Sequence, residues 1–285
     1  VATDYSVLSK SVHKNSGVRL FVQTVIGRAY PRVVGLLRET SWMFFDIFLP
    51  VLSVSAYVFV YRAIGAPEIY VGFVVMGGAM TAFWLNVLWA MGTQMYWEKE
   101  TGNLGLYIMA PNSLMAVLLG MAFGGLFATA QRAVVITLMG SWLFGVSYEI
   151  ASYWQLLAIF FLAMIALYGM GMMFASVFLL VSREGFHIAN LAQEPIYLAS
   201  GFFFPIRNLN FWVAAGASLI PLTLGLDAMR QLAFADGATL GFLSVELELL
   251  ILAALSVIFL IAAHFSLAYM EKVAVREGRL TESRR

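Results

Sequence analysis

Residues 69–93 read IYVGFVVMGGAMTAFWLNVLWAMGT, twenty-five positions without a charge. A bilayer core of about 30 Å is crossed by roughly 20 apolar residues in a helix, so this segment is long enough to span one. Five further stretches qualify around it: 44–61, 114–144, 154–181, 186–206 and 249–270. The first of these is the shortest, with Asp46 and Pro50 near its start. Stretches 114–144 and 154–181 exceed one crossing and must tilt, kink or project. The whole chain agrees: 61% of its 285 residues are hydrophobic and 12% charged, with a mean hydropathy of +0.85. Soluble domains carry about 25% charge, so this composition points to an integral membrane protein and excludes disorder. The absence of cysteine excludes disulfide scaffolds, thiolate zinc sites and cysteine nucleophiles.

The expected fold is therefore an all-α membrane protein with six transmembrane helices. Phe211 to Gly225 (FWVAAGASLIPLTLG) is apolar but too short to cross comfortably and is interrupted by Pro221. It predicts a re-entrant or interfacial helical hairpin within 207–236, between helices five and six. Lysine and arginine favour the cytoplasmic side. Lys10, Lys14, Arg19, Arg28, Arg32 and Arg38 precede the first span. Lys99 and Arg183 follow spans two and four, and Lys272, Arg276, Arg279, Arg284 and Arg285 follow the sixth. Only Arg62, Arg207 and Arg230 fall on the opposite face, so both termini are expected in the cytoplasm. Residues 18–38 mix these arginines with Val18, Phe21, Val22, Val25 and Tyr30, which predicts an amphipathic interfacial helix bent at Pro31. The organisation is then 1–43, a cytoplasmic N-terminus with that helix; 44–270, the transmembrane domain; and 271–285, a cytoplasmic tail. Residues 1–17 are polar and no cleavage-type apolar region follows, so no secretory signal peptide is expected here.

The loop after span two, 94–113, carries Glu98, Lys99, Glu100, Gly102, Asn103 and Leu104 and ends near Pro111. A plain connector would be a solvated turn. This loop is long, however, and its second half (Leu104, Leu106, Tyr107, Ile108, Met109) is apolar, which predicts a short helix with a face for a partner.

Glu100-x-Gly102-x-Leu104 followed by Pro111 resembles the cytoplasmic loop of ABC-2 type transporter permeases, although Asn103 and Gly105 depart from that pattern. A second, longer segment resembles the same family. It comprises Ser200-Gly201-Phe202-Phe203-Phe204-Pro205, then Ile220-Pro221-Leu222-Thr223, then Asp227-Ala228-Met229-Arg230, with Asn210 where the family often has proline. The resemblance implies a permease subunit of an ATP-driven exporter in the cell (inner) membrane. A second permease, identical or homologous, would complete the pathway. Two ABC ATP-binding subunits would bind ATP and magnesium, and Glu98, Lys99, Glu100, Gly102, Asn103, Leu104 and Pro111 would couple to them. The residues agree that the nucleotide site is elsewhere: no Gly-Lys dipeptide, and hence no phosphate loop, occurs in the chain. This chain is expected to be no enzyme, to bind no cofactor or metal, and to have the lipid bilayer but no nucleic acid as partner. Gly120-x-x-x-Gly124 and the other glycine pairs inside spans fit close helix packing.

Ionisable groups inside spans are expensive and face protein or water. Arg132 lies deepest, and Glu194 precedes Pro195 in span five, with His187 two turns earlier on the same face. Two readings stand side by side for Arg132 and Glu194: a polar lining of the translocation path, or a structural pair within the bundle. Aromatic residues near span ends fit an interfacial belt; Phe202, Phe203 and Phe204 could instead narrow an outer gate. Few buried charges favour an amphipathic or lipid-like cargo such as a drug or natural product. Export of a lipid-linked polysaccharide is the alternative within the family. An intramembrane enzyme or a secondary transporter is the alternative outside it, the first opposed by the lack of a catalytic constellation and the second by the scarcity of carboxylates near mid-membrane.

Overall fold

The structure is a computed structural model describing residues 17–38, 40–110, 113–181 and 183–276, and all regular elements among them are helical. Helix α1 spans Val18–Arg38, α2 Thr40–Ala63 and α3 Ile69–Leu85; α3 continues through a π-helical segment, Asn86–Gly92, into α4, Gln94–Glu100. Then come α5 (Asn103–Met109), α6 (Leu114–Phe144), α7 (Tyr153–Val181), α8 (Arg183–Ala199), α9 (Phe211–Ala217), α10 (Pro221–Ala233) and α11 (Val245–Arg276). Among the described residues, four helices are long and apolar enough to cross a bilayer: Ile69–Glu100, Leu114–Phe144, Tyr153–Val177 and Val245–Met270. Helix α2 contributes a shorter apolar stretch, Ile47–Ala63, and α9 meets α10 at 107°. Pro221 opens α10, where its missing N–H would have had no helical partner.

Helix α7 sits at the centre, with α11 along one side and α10 and the π segment against others; α6 lies between α1 and α3. Trp84, Phe83, Leu88 and Met91 of span two are fully buried in this core. Polar contacts sort the helix ends into two sets. At one end Arg62 donates to the Phe144 carbonyl (2.9 Å), and the amides of Glu149 and Ala151 donate to the carbonyls of Ala233 and Leu232 (2.9 Å each). Tyr61 there donates to the Phe203 carbonyl at 3.0 Å. The α2–α3, α6–α7 and α8–α9 connections and the bent α9–α10 pair are thus gathered together. The other end holds α1, α4 and α5.

One detail differs from expectation. Residues 186–206 do not form one helix, because α8 stops at Ala199 and Gly201 takes a left-handed φ of 67°. The backbone can leave the helix there because Arg230 supplies donors to the freed carbonyls. Helix α1 is continuous through Pro31. Pro111, residues 1–16 and most of the tail lie outside the described residues.

Candidate functional site

The end that holds α1, α4 and α5 is built around a clamp between α1 and the α4–α5 turn. Glu98 is buried (6% exposed), and its Oε1 accepts from Arg28 Nη2 and from Gln94 Nε2 at 3.0 Å. Its Oε2 accepts from Asn103 Nδ2 at 3.2 Å, which ties the first residue of α5 back to α4. The Arg28 guanidinium also lies over the Tyr107 ring, 5.2 Å from its centroid. One turn on, Arg32 donates to the Met121 carbonyl at 3.1 Å and to the Ala90 carbonyl. Burial, followed by the neighbouring Arg28 charge, lowers the Arg32 pKa from its ordinary value; the two carbonyls replace the water it has lost. Ala90 lies in the π segment, so α1 holds span two both there and at α4.

What lets α1 come so close is the glycine pair on α6. A Cβ on Gly120 would sit 2.6 Å from the Val25 carbonyl oxygen, and one on Gly124 would sit 3.0 Å from that of Ala29. The close packing anticipated for Gly120-x-x-x-Gly124 is therefore present, with α1 as the partner. Gly102 joins α4 to α5 at φ 78°, a left-handed conformation that a side chain resists.

These contacts redistribute the roles expected along the loop. Glu98 and Leu104 face inward (6% and 1% exposed), so neither offers surface to a partner. Glu100 and Gly102 are exposed, Asn103 is exposed yet bound to Glu98, and Lys99 is half-buried. Trp97, Leu106 and Met109 add exposed apolar surface to the outer side of the same turn, at 50, 62 and 74%. The sequence pattern did not single out Arg28 and Arg32 as site residues. Their four-residue spacing, repeated by Gly120 and Gly124, was the available signal.

At the opposite end Arg230 is fully buried and holds the segment after α8. Nη1 donates to the carbonyls of Gly201 (2.7 Å) and Phe204 (3.3 Å), and Nη2 to those of Phe73 (2.7 Å) and Phe202 (2.6 Å). The guanidinium also covers the Phe73 ring. In the sequence Arg230 stood out as an outer-face charge and as the end of the second family-like segment; its structural task is to cap irregular backbone. Asp227, one turn earlier, accepts from the Phe242 amide at 2.8 Å and fixes the return of the chain toward α11.

Between α2, α3 and α8 lies an open cavity of about 500 Å³. Glu194, Phe203 and Phe204 line it together with Pro50, Tyr57 and Tyr197; Phe203 stacks on Tyr57 with ring centroids 4.0 Å apart. Phe202 does not line it, being buried against Tyr197, and neither does Arg132, half-buried on α6. The structure thus brings Glu194 together with two of the three phenylalanines and separates Arg132 from them.

The family model for ABC-2 type transporters matches residues 32–234. The chain belongs to that family. The match runs from Arg32 of the clamp through the α4–α5 turn, the cavity wall and the Arg230 cap. Among curated proteins, the chain is similar to the "Probable multidrug ABC transporter permease YbhR" of Escherichia coli K12, with 21% identity over 145 residues. The counterpart of the same name in Escherichia coli O157:H7 matches equally. In each case the alignment covers 50% of this chain and 38% of the relative, so the chain spans well under half the length of the curated relatives it matches. With its long apolar helices, this ABC-2 family chain is a multi-pass membrane protein.

Proposed function

We propose that the chain is a permease subunit of an ATP-driven exporter, forming part of the translocation pathway for amphipathic or lipid-like molecules. ATP is hydrolysed by two separate ATP-binding subunits, and a second permease, identical or homologous, completes the complex. The chain crosses the cell membrane six times, through α2, α3–α4, α6, α7, α8 and α11, with both termini cytoplasmic and α9–α10 re-entrant from outside. The sorting of helix ends supports this count, since connections alternate between the clamp end and the Arg230 end. Drug-like cargo is favoured by the multidrug name of the YbhR relatives and by the aromatic, largely apolar cavity wall.

One observation carries the coupling role: the α4–α5 turn is fastened inward by Glu98 to α1, while Trp97, Glu100, Leu106 and Met109 remain exposed on its outer side. A ledge held rigidly to spans two and three can pass a push from an ATPase into both. The test is reconstitution with the cognate ATP-binding subunits. The purified chain alone should hydrolyse no ATP, whereas the complex should couple hydrolysis to transport. Glu100→Lys should weaken assembly or uncouple the two activities, and Gly102→Val should do so through strain of about 1–3 kcal/mol at a positive φ. Normal transport in both variants would remove the coupling role; hydrolysis by the isolated chain would remove the permease assignment.

A further inference from the structure

The cavity between α2, α3 and α8 has one chemical feature that an apolar pathway does not require. Glu194, an exposed residue, lines it among aliphatic and aromatic side chains, and the other polar side-chain groups there are the hydroxyls of Ser53, Thr81, Tyr57 and Tyr197. The Thr81 hydroxyl is already committed to the Gly78 carbonyl at 2.7 Å. None of the lining residues is basic. A ligand that fills the cavity takes water from this carboxylate, which is costly unless a cation replaces it. Around it stand the rings of Tyr57, Tyr197, Phe203 and Phe204, whose faces attract positive charge. A volume of about 500 Å³ is that of a drug-sized ligand rather than a bare ion.

We propose that this cavity receives a lipophilic organic cation, its charge opposite Glu194 and its apolar groups against Tyr57, Tyr197 and Phe203. The proposal rests on the exporter reading and narrows its cargo. Charge complementarity selects the occupant. An anionic amphiphile would meet an uncompensated carboxylate, a neutral one would strip that carboxylate of water without replacing it, and a cation does neither. Tyr57 and Phe203 lie toward the outer end of the cavity. Pro50 lies seven residues earlier on α2, about 10 Å deeper, so a ligand of several rings fits along the groove.

The probes are tetraphenylphosphonium and tetraphenylborate, ions of nearly equal size and opposite charge, titrated onto the full chain in zwitterionic nanodiscs. The phosphonium should bind saturably and the borate should only partition. Glu194→Gln should weaken phosphonium binding about tenfold, and Glu194→Asp should restore most of it. Should Glu194→Gln fail to fold, Ser53→Lys, placing a cation on the facing wall, must abolish phosphonium binding. Equal phosphonium affinity in wild type and Glu194→Gln, or saturable Glu194-independent binding of both ions, overturns the proposal. So does a cysteine at Ser53 that stays shielded from thiol reagents in both resting and hydrolysing complexes, since a second copy would then cover this face. ATP-driven uptake of a neutral amphiphile into inverted vesicles separates the two readings. Transport with Glu194-insensitive phosphonium binding removes the cation site alone. Glu194-dependent binding without ATP-driven uptake of any probe keeps the cation site and removes the exporter.

Discussion

Gly120→Ala adds one methyl group to the seam between α1 and α6. Its Cβ would lie 2.6 Å from the Val25 carbonyl oxygen and 2.7 Å from the Arg28 Cβ. Ordinary contact begins near 3.4 Å, so α1 must lift by about 0.8 Å at the crossing. A gap of 0.5–1 Å forfeits roughly a quarter to a half of each dispersion contact along the seam. Overpacking of this kind costs about 1–3 kcal/mol, while replacing a mid-helix glycine by alanine returns about 1 kcal/mol. The net loosening is about 1 kcal/mol, or roughly fivefold in the undocked population. Trypsin reads that population. The Arg28 guanidinium is bound to Glu98 and that of Arg32 to two carbonyls, so neither can enter a specificity pocket while α1 is docked. Arg19 and Arg38 are exposed on the same helix and serve as references. In nanodiscs, cleavage at Arg28 and Arg32 relative to these should accelerate about fivefold in Gly120→Ala. Gly35→Ala, where an added Cβ meets nothing within 4 Å, should not accelerate it. Unchanged cleavage in Gly120→Ala would refute the claim that the glycine pair sets the depth of α1.

Arg230→Met should leave the carbonyls of Gly201, Phe202, Phe204 and Phe73 without their donor, at about 1–3 kcal/mol for each that stays buried. Sharply reduced yield of folded protein, measured by size-exclusion fluorescence, is expected, and wild-type yield would contradict the capping role. Asn103→Ala frees one oxygen of Glu98 and should lower thermal stability slightly, by about 0.5–1.5 kcal/mol, as a melting curve would show. Because the chain has no cysteine, single cysteines at Arg207 and Asp236 report topology cleanly. Both should label from outside with an impermeant thiol reagent, and labelling from opposite faces would mean that 207–236 crosses the membrane.

The fold class was legible because a lipid-crossing helix announces itself by length and apolarity alone, as 69–93 and 114–144 do. The glycine pair on α6 was legible as a contact but not its partner, since small residues mark a close approach without naming what approaches. Arg28 and Arg32 looked like cytoplasmic anchors, and Glu98 looked like a charge on a docking surface. Only the folded chain shows that seventy residues of separation bring one arginine onto that glutamate. The premature end of α8 was hidden for a similar reason. Phe202 to Pro205 are apolar enough to continue the helix, and the side chain that makes stopping tolerable lies at Arg230. Glu194 was visible as an oddity, while the aromatic walls that give it meaning come from α2 and the segment after α8.

The π segment Asn86–Gly92 acts as a phase shifter in the helical path Ile69–Glu100. A π turn closes at i+5 rather than i+4, so it holds one residue more than an α turn, and one residue of α-helix is about 100° of rotation. Tightening one such turn to α geometry, with α3 held fixed by its outer packing, would swing α4 through roughly that angle and carry Glu98 off Arg28. The Ala90 carbonyl lies within this segment, and Arg32 grips it. The same short helix that locks the inner ledge thus also latches the winding of the span that bears it, so torque on the ledge is resisted at two points four residues apart on α1.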